Sequence, residues 1–344
     1  MKQTAVVICP GRGSYDPQAI GYLQRHHAGS DLVALVDDYR RSRGEPTVSE
    51  LDRMPEYRGD RHAAGEHASA LIHACALADY ARIDRKRFEV VAVTGNSMGW
   101  YLALAAAGAL DPDAAIALVD GMGGMMREGL IGGQLLYPVV DEAWQPLPEV
   151  EMLLQQQLEQ VNRLPGCAAY PSIDLGGMRV IGGNDQALDE LKRRLPPSQG
   201  RYPALLARHA AFHTPLLAPV SSRARELFPQ GLFQRPGLPL IDGRGHVWQP
   251  LATDTGELRD YTLGEQVVAP FSFSSAINVA IKEFAPDRLI LLGPGSSLGA
   301  SVGQLLVRER WLGLVDKARF KQRQAEDPFL LSMAVETERK RVVK

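Results

Sequence analysis

The chain has 344 residues, 45% of them hydrophobic, with 38 Lys and Arg against 40 Asp and Glu for a formal net charge of −2. That balance excludes a wholly disordered chain and leaves no global basic field to hold nucleic acid or an anionic membrane surface. The three cysteines, Cys9, Cys75 and Cys167, lack CxxC or Cys/His zinc spacing, so neither a disulfide scaffold nor a structural metal is expected and the compartment reads as reducing. Met1 to Pro10 is too short for a secretory signal and no stretch reaches ~18 uninterrupted apolar residues, so a cytoplasmic, unanchored protein is expected.

In chain order, the first element is a buried strand over Thr4 to Cys9, short, rich in β-branched residues and stopped by the loop Pro10-Gly11-Arg12-Gly13-Ser14. Arg82, Arg85, Lys86 and Arg87 form a basic run that reads as a solvated face. The next strand, Phe88 to Thr94, runs into Gly95-Asn96-Ser97-Met98-Gly99 and then into helix-forming sequence from Trp100 to Ala109. Asp111-Pro112 caps a further helix with an N-cap acid and an N1 proline.

From Gln134 the rhythm changes. A strand to Val140, an apolar helical face (Val150, Leu154, Leu158, Val161), strands over Cys167 to Leu175 and Met178 to Ile181, a helix over Gln186 to Leu195 and a strand over Tyr202 to Ala207 follow in turn. This β-α-β-β-α-β order predicts a ferredoxin-like subdomain over 128–208, inserted into an α/β core formed by 1–127 and 209–316. A late strand, Arg288 to Leu292, meets Gly293-Pro294-Gly295, and a helix follows over Leu298 to Val307. The segment 317–344 reads as a charged surface tail. The fold class is α/β, a hydrolase-like parallel-sheet core with an inserted ferredoxin-like subdomain. Loops at the carboxyl ends of parallel strands are where such sheets place their sites, which draws the three glycine loops together.

Gly95 to Gly99 is a G-x-S-x-G pentapeptide between strand and helix, the context of a nucleophile elbow. Side chains at its two glycines would collide with the adjoining strand and helix, while Ser97 is pushed outward. The helix start offers free backbone N–H groups where an oxyanion would form. A serine nucleophile needs a base. His26 and His27 sit in a polar segment, His62, His67 and His73 precede the elbow strand, and His246 falls in a Gly-rich loop. His213 stands in Ala210-Ala211-Phe212-His213-Thr214-Pro215, and spacing alone does not single it out. Neither Gly11-Arg12-Gly13 nor Gly293-Pro294-Gly295 completes a GxGxxG, so nucleotide cofactors are discounted. Met122, Met125 and Met126, with Met98 and Trp100, are candidates for an acyl pocket or simply core filler.

Read together, these segments resemble the malonyl-CoA:acyl carrier protein transacylase family, which includes the acyltransferase domains of fatty-acid and polyketide synthases. Pro10 to Ser14 resembles its P-G-Q-G-S loop, Gly95 to Leu110 its G-H-S-L-G-E-Y-x-A-L segment, and Leu118 to Met126 its L-V-x-x-R-G-x-x-M helix. Ala211 to Leu217 resembles A-F-H-S-x-x-M, Gln266 with Pro270 its Q-x-x-x-P, and Leu292 to Gly295 its V-G-P-G loop. The resemblance spans about residues 5–308, with the six segments in the family's order.

The resemblance implies ping-pong acyl transfer from an acyl-CoA to the phosphopantetheine thiol of an acyl carrier protein, with the CoA thioester as substrate and no permanently bound cofactor or metal. Ser97 would carry the acyl group, His213 would move the proton and Gln266 would orient the site. The oxyanion would be held by the backbone N–H groups of Met98 and Arg12. Asn96, Trp100, Met122 and Phe212 would meet the substrate.

Four positions depart from the family pattern: Asn96 replaces histidine, Trp100 glutamate, Arg12 glutamine, and Met122 the arginine that pairs with the malonyl carboxylate. A thioether cannot supply a charge-assisted bidentate pair. Either the acyl group is neutral, or a second cation has taken over, with Arg12 the first candidate and Arg127 the second; Phe212, a type that accompanies malonyl in the family, points toward the charged substrate. Two other functions stay open: a hydrolase that edits acyl carrier proteins with the same Ser97/His213 dyad, and a non-catalytic homologue that binds a carrier protein. The presence of both Ser97 and His213 weighs against the latter.

Overall fold

The computed structural model describes residues 2–125 and 131–344. Met126, Arg127 and the expected boundary between 127 and 128 lie outside the described residues. The strands are β1 (Gln3–Cys9), β2 (Phe88–Gly95), β3 (Gly133–Pro138), β4 (Ala169–Leu175), β5 (Met178–Gly183), β6 (Ala204–Leu205), β7 (Leu240–Ile241), β8 (Val247–Trp248), β9 (Phe271–Ser272), β10 (Arg288–Leu291) and β11 (Leu330–Ser332). They form a larger sheet in the order β11-β10-β1-β2-β7-β8 and a smaller one in the order β6-β3-β5-β4-β9.

In the larger sheet all neighbours run parallel except β7 and β8. Its central strand β1 is solvent-free from Ala5 to Cys9, because helices cover both faces of a parallel sheet and leave no side for polar residues. The helix Gly65–Arg82 is buried along most of its length, which its run of alanines permits by letting neighbouring helices and the sheet approach closely. The parallel strands bring the ends of β1, β2 and β10 to one edge of the sheet.

The smaller sheet carries the β-α-β-β-α-β order: helix Pro148–Asn162 connects β3 to β4, and helix Asp185–Arg194 connects β5 to β6. It has a hydrophobic cluster of its own, built from Leu135, Leu154, Val161, Ile181, Leu188 and Leu191 among others. The helix positions recur at the three- and four-residue spacing that a one-sided apolar face needs. Its edge strand β9 comes from outside the segment 128–208 and pairs parallel with β4. Among the described residues, no helix is long and apolar enough to cross a membrane.

The expectation of a surface tail over 317–344 is corrected. β11 lies within it and pairs parallel with β10, Leu289 opposite Leu330 and Leu291 opposite Ser332. Phe329, Leu330, Leu331, Met333 and Val342 are buried, so an apolar run hidden among charges supplies the sheet's edge. The last helix, Glu336–Val342, turns Arg339 inward, where Nη1 lies 2.6 Å from Asp79 Oδ1. The same carboxylate faces His27 Nε2 at 2.8 Å, and accepts from Tyr22 OH at 2.7 Å and from the Gly293 backbone N–H at 2.7 Å. Asp79 thereby ties the C-terminal segment to the glycine loop after β10.

Removing one partner of a buried pair leaves an uncompensated charge. Arg339→Ala is therefore expected to lose about 3–5 kcal/mol of unfolding free energy in urea. Arg82→Ala, on the exposed basic run, is expected to stay within about 0.5 kcal/mol of the parent.

Candidate active site

β2 ends at Gly95 and the helix Gly99–Ala106 begins four residues later, so the chain reverses within a pentapeptide. A Cβ on Gly95 would lie 2.1 Å from the Gly99 carbonyl oxygen, and one on Gly99 would lie 2.3 Å from the carbonyl oxygen of Cys9 on β1. Real Cβ atoms do not come that close, which is why both positions are glycine. Between them Ser97 adopts φ 56°, a left-handed conformation costly for a residue with a side chain. The other two loops close in on the same place. A Cβ on Gly11 would lie 2.6 Å from the Asn96 carbonyl oxygen, and one on Gly295 would lie 2.2 Å from that of Ser14.

Ser97 Oγ is 2.7 Å from His213 Nε2. The ring's other nitrogen, Nδ1, is 2.6 Å from the backbone carbonyl oxygen of Gln266. A carbonyl oxygen only accepts, so Nδ1 carries the proton and Nε2 is left to accept from the serine hydroxyl. Burial pushes the imidazole down to about 4, opposed by its bond to the Gln266 carbonyl, and it is a neutral base at pH 7. The Gln266 side chain completes the frame: its Nε2 donates to the Ser97 carbonyl at 3.1 Å, and its Oε1 accepts from Tyr101 OH at 2.9 Å. Among the described residues, neither the Met98 nor the Arg12 backbone N–H donates to a backbone carbonyl.

A cleft of about 620 Å³ opens between the two sheets over this pair. Arg12, Asn96, Met98, Met122, Phe212 and Gln266 all line it with Ser97 and His213. Met122 and Phe212 both pack against the small apolar cluster that contains Ala211 and Leu217. Trp100 is corrected: it is absent from the cleft wall and wholly buried, donating from Nε1 to Thr262 Oγ1 at 3.0 Å and meeting Tyr261 edge-on. The helix start that leaves Ser97 facing the cleft carries the residue after Gly99 into the core.

Two wall residues have no counterpart among the sequence candidates. Gln134, on β3, donates from Nε2 to Ser172 Oγ at 2.7 Å and faces His209 Nδ1 with Oε1 at 2.8 Å. Burial and the nearby Arg12 cation push His209 down to about 3. The only signal for His209 was its place four residues before His213. Gln134 carried none, because its partners lie 38 and 75 residues away.

The fold and this pair define the class, an α/β protein with a histidine-paired serine on a strand-to-helix elbow. No family model matches the chain. It is 26% identical over 246 residues to the malonyl CoA-acyl carrier protein transacylase of Bacillus subtilis, covering 71% of this chain and 70% of that protein. It is 28% identical over 290 residues to a phenolphthiocerol/phthiocerol polyketide synthase of Mycobacterium tuberculosis, covering 83% of this chain but 16% of that protein. In three dimensions it matches the malonyl-CoA:acyl carrier protein transacylase of Xanthomonas oryzae pv. oryzae with a TM-score of 0.74, at 18% identity and over 100% of both chains. It also matches a malonyl-transacylase solved in complex with a type II polyketide synthase acyl-carrier protein, TM-score 0.71 at 19% identity, over 89% of this chain and 93% of that one. The family resemblance read from the ordered motifs is the one that these relatives and this fold bear out.

Two outcomes follow from the geometry. Gly99→Ala forces the elbow away from β1 and is expected to cost about 1–3 kcal/mol in urea unfolding, with loss of the active conformation. The second concerns acid. Burial holds His213 and His73 at about 4, and burial with the Arg12 cation holds His209 at about 3, against an ordinary value of 6.5. Between the folded and ordinary values the unfolded chain binds more protons, so stability falls as pH drops from 6.5 toward 4. The slope approaches about 1.4 kcal/mol per pH unit for each histidine, with none of this dependence above the window, and urea midpoints measured across it check the sign.

Proposed function

We propose that the protein transfers an acyl group from coenzyme A to the phosphopantetheine thiol of an acyl carrier protein, through an ester on Ser97. The observation that carries this reading is the 2.7 Å contact between Ser97 Oγ, held outward on a strained elbow, and an imidazole whose tautomer is fixed by the Gln266 carbonyl. The names of the relatives support the substrates. The chain matches a small part of the polyketide synthase, so nothing else of that enzyme is carried over.

In the first half-reaction Ser97 Oγ bonds to the thioester carbonyl carbon while its proton passes to His213 Nε2. The negative oxygen is met by the backbone N–H groups of Met98 and Arg12. The carbon–sulfur bond then breaks, and CoA leaves as the thiol with the proton from Nε2. In the second, the phosphopantetheine thiol gives its proton to Nε2 and its sulfur bonds to the acyl carbon. Ser97 Oγ leaves and recovers that proton. Gln266 holds both partners, the histidine through its carbonyl and the serine backbone through its side-chain amide.

Intact-mass measurement after incubation with acyl-CoAs tests the ester. The expected adduct is abolished in Ser97→Ala, and His213→Ala slows its formation by roughly 10²- to 10⁴-fold. The loaded enzyme is expected to persist in buffer and to discharge rapidly when holo carrier protein is added. Rapid loss to water that carrier protein does not accelerate identifies the editing hydrolase instead, and full-rate loading of Ser97→Ala overturns the nucleophile.

A further inference from the structure

We propose that Arg12 is the receptor for a carboxylate at the far end of the acyl group, so that the site takes short acyl thioesters carrying a terminal carboxylate although the helix position facing it is Met122. The inference rests on the Ser97 ester and concerns the other end of the same substrate.

Buried arginines elsewhere in the protein have acidic partners: Arg40 pairs with Asp120, and Arg339 with Asp79. Arg12 does not. Its Nη2 donates to two backbone carbonyls, Ala63 at 3.0 Å and Arg208 at 2.9 Å, and among the described residues no carboxylate lies within ion-pair distance of it. Nη1 is shut off from solvent with no hydrogen-bond partner at all. A desolvated guanidinium that satisfies only part of its fork is costly to keep. Burial pushes it down to about 10, with Glu66 the nearby charge opposing that shift, and it remains a cation at pH 7.

Its surroundings are those of the acyl group. Arg12 lines the cleft with Ser97 and Met122, and its guanidinium carbon lies 5.4 Å from the centre of the Phe212 ring, beside the histidine. In the same wall the buried Ser14 hydroxyl, which can donate to a carboxylate, also lacks a partner, as does the acceptor Asn96 Oδ1, which a carboxylate does not satisfy. Such orphans cluster where a ligand completes the bonding. The other cationic side chains of arginine or lysine on this wall, Arg201 and Lys317, stand over the rings of Tyr202 and Trp144. Arg127, the second sequence candidate, lies outside the described residues. A carboxylate at Nη1 supplies both the missing acceptor and the missing charge.

The test is a competition. The protein is mixed with equal malonyl-CoA and acetyl-CoA, quenched early, and the ratio of the two Ser97 adducts is read by intact mass. Wild type is expected to load malonyl in preference, and Arg12→Gln is expected to lower the ratio roughly 10- to 100-fold, the worth of one charged hydrogen-bonded contact. Reading a ratio within one sample separates recognition from any general loss caused by untying Ala63 and Arg208. If Arg12→Gln does not fold, the ratio is read on Arg12→Lys, which keeps the charge without the planar fork and is expected to fall several-fold. A wild type that prefers acetyl, or a folded variant with an unchanged ratio, overturns the assignment of Arg12 while leaving the serine ester standing. Absence of any adduct from either thioester overturns the ester and this inference with it.

Discussion

The site depends on how closely two backbones approach at the elbow. The α-carbon of Gly99 sits so near the Cys9 carbonyl that no side chain fits between them, and that contact fixes the start of a helix against the end of the sheet's central strand. Ser97 is forced into a left-handed conformation, its side chain faces the cleft, and the loop after β1 is held beside it. The cost of the strained residue is met by the buried parallel strands on either side, whose registers leave the loop no room to relax. Asp79 braces the third loop from behind by accepting the Gly293 N–H.

Around the serine the working groups are neutral. His213, Gln266 and Tyr101 form a chain of hydrogen bonds that contains no carboxylate. The interior ion pairs named above involve other residues, Arg40 with Asp120 on the helix that also carries Met122, and Arg339 with Asp79. This separation leaves Arg12 beside neutral working groups, its Nη2 held by two backbone carbonyls and its Nη1 without a partner.

Local chemistry was legible from sequence wherever neighbours along the chain decide the structure. The strands ending in glycine loops, the elbow with its crowding and the cap at Asp111 all depend on residues within a few positions of one another. The ordered motifs carried His213, which spacing alone did not distinguish. What escaped depends on distant partners. Trp100 looked like a wall residue because it adjoins the elbow, yet its indole is claimed by Thr262 and Tyr261, more than 160 positions away. Gln134 and His209 meet only when the smaller sheet folds over the cleft. The segment after 317 has the charge of a surface, and its edge strand is apparent only once β10 offers an unpaired side.

The carbonyl partner of His213 bears on what sets its tautomer. A peptide oxygen only accepts, so the Gln266 backbone holds the proton on Nδ1, while burial keeps the imidazole neutral. Because that acceptor belongs to the main chain, no side-chain substitution at position 266 removes it, and the orientation that turns Nε2 to Ser97 is a property of the backbone path.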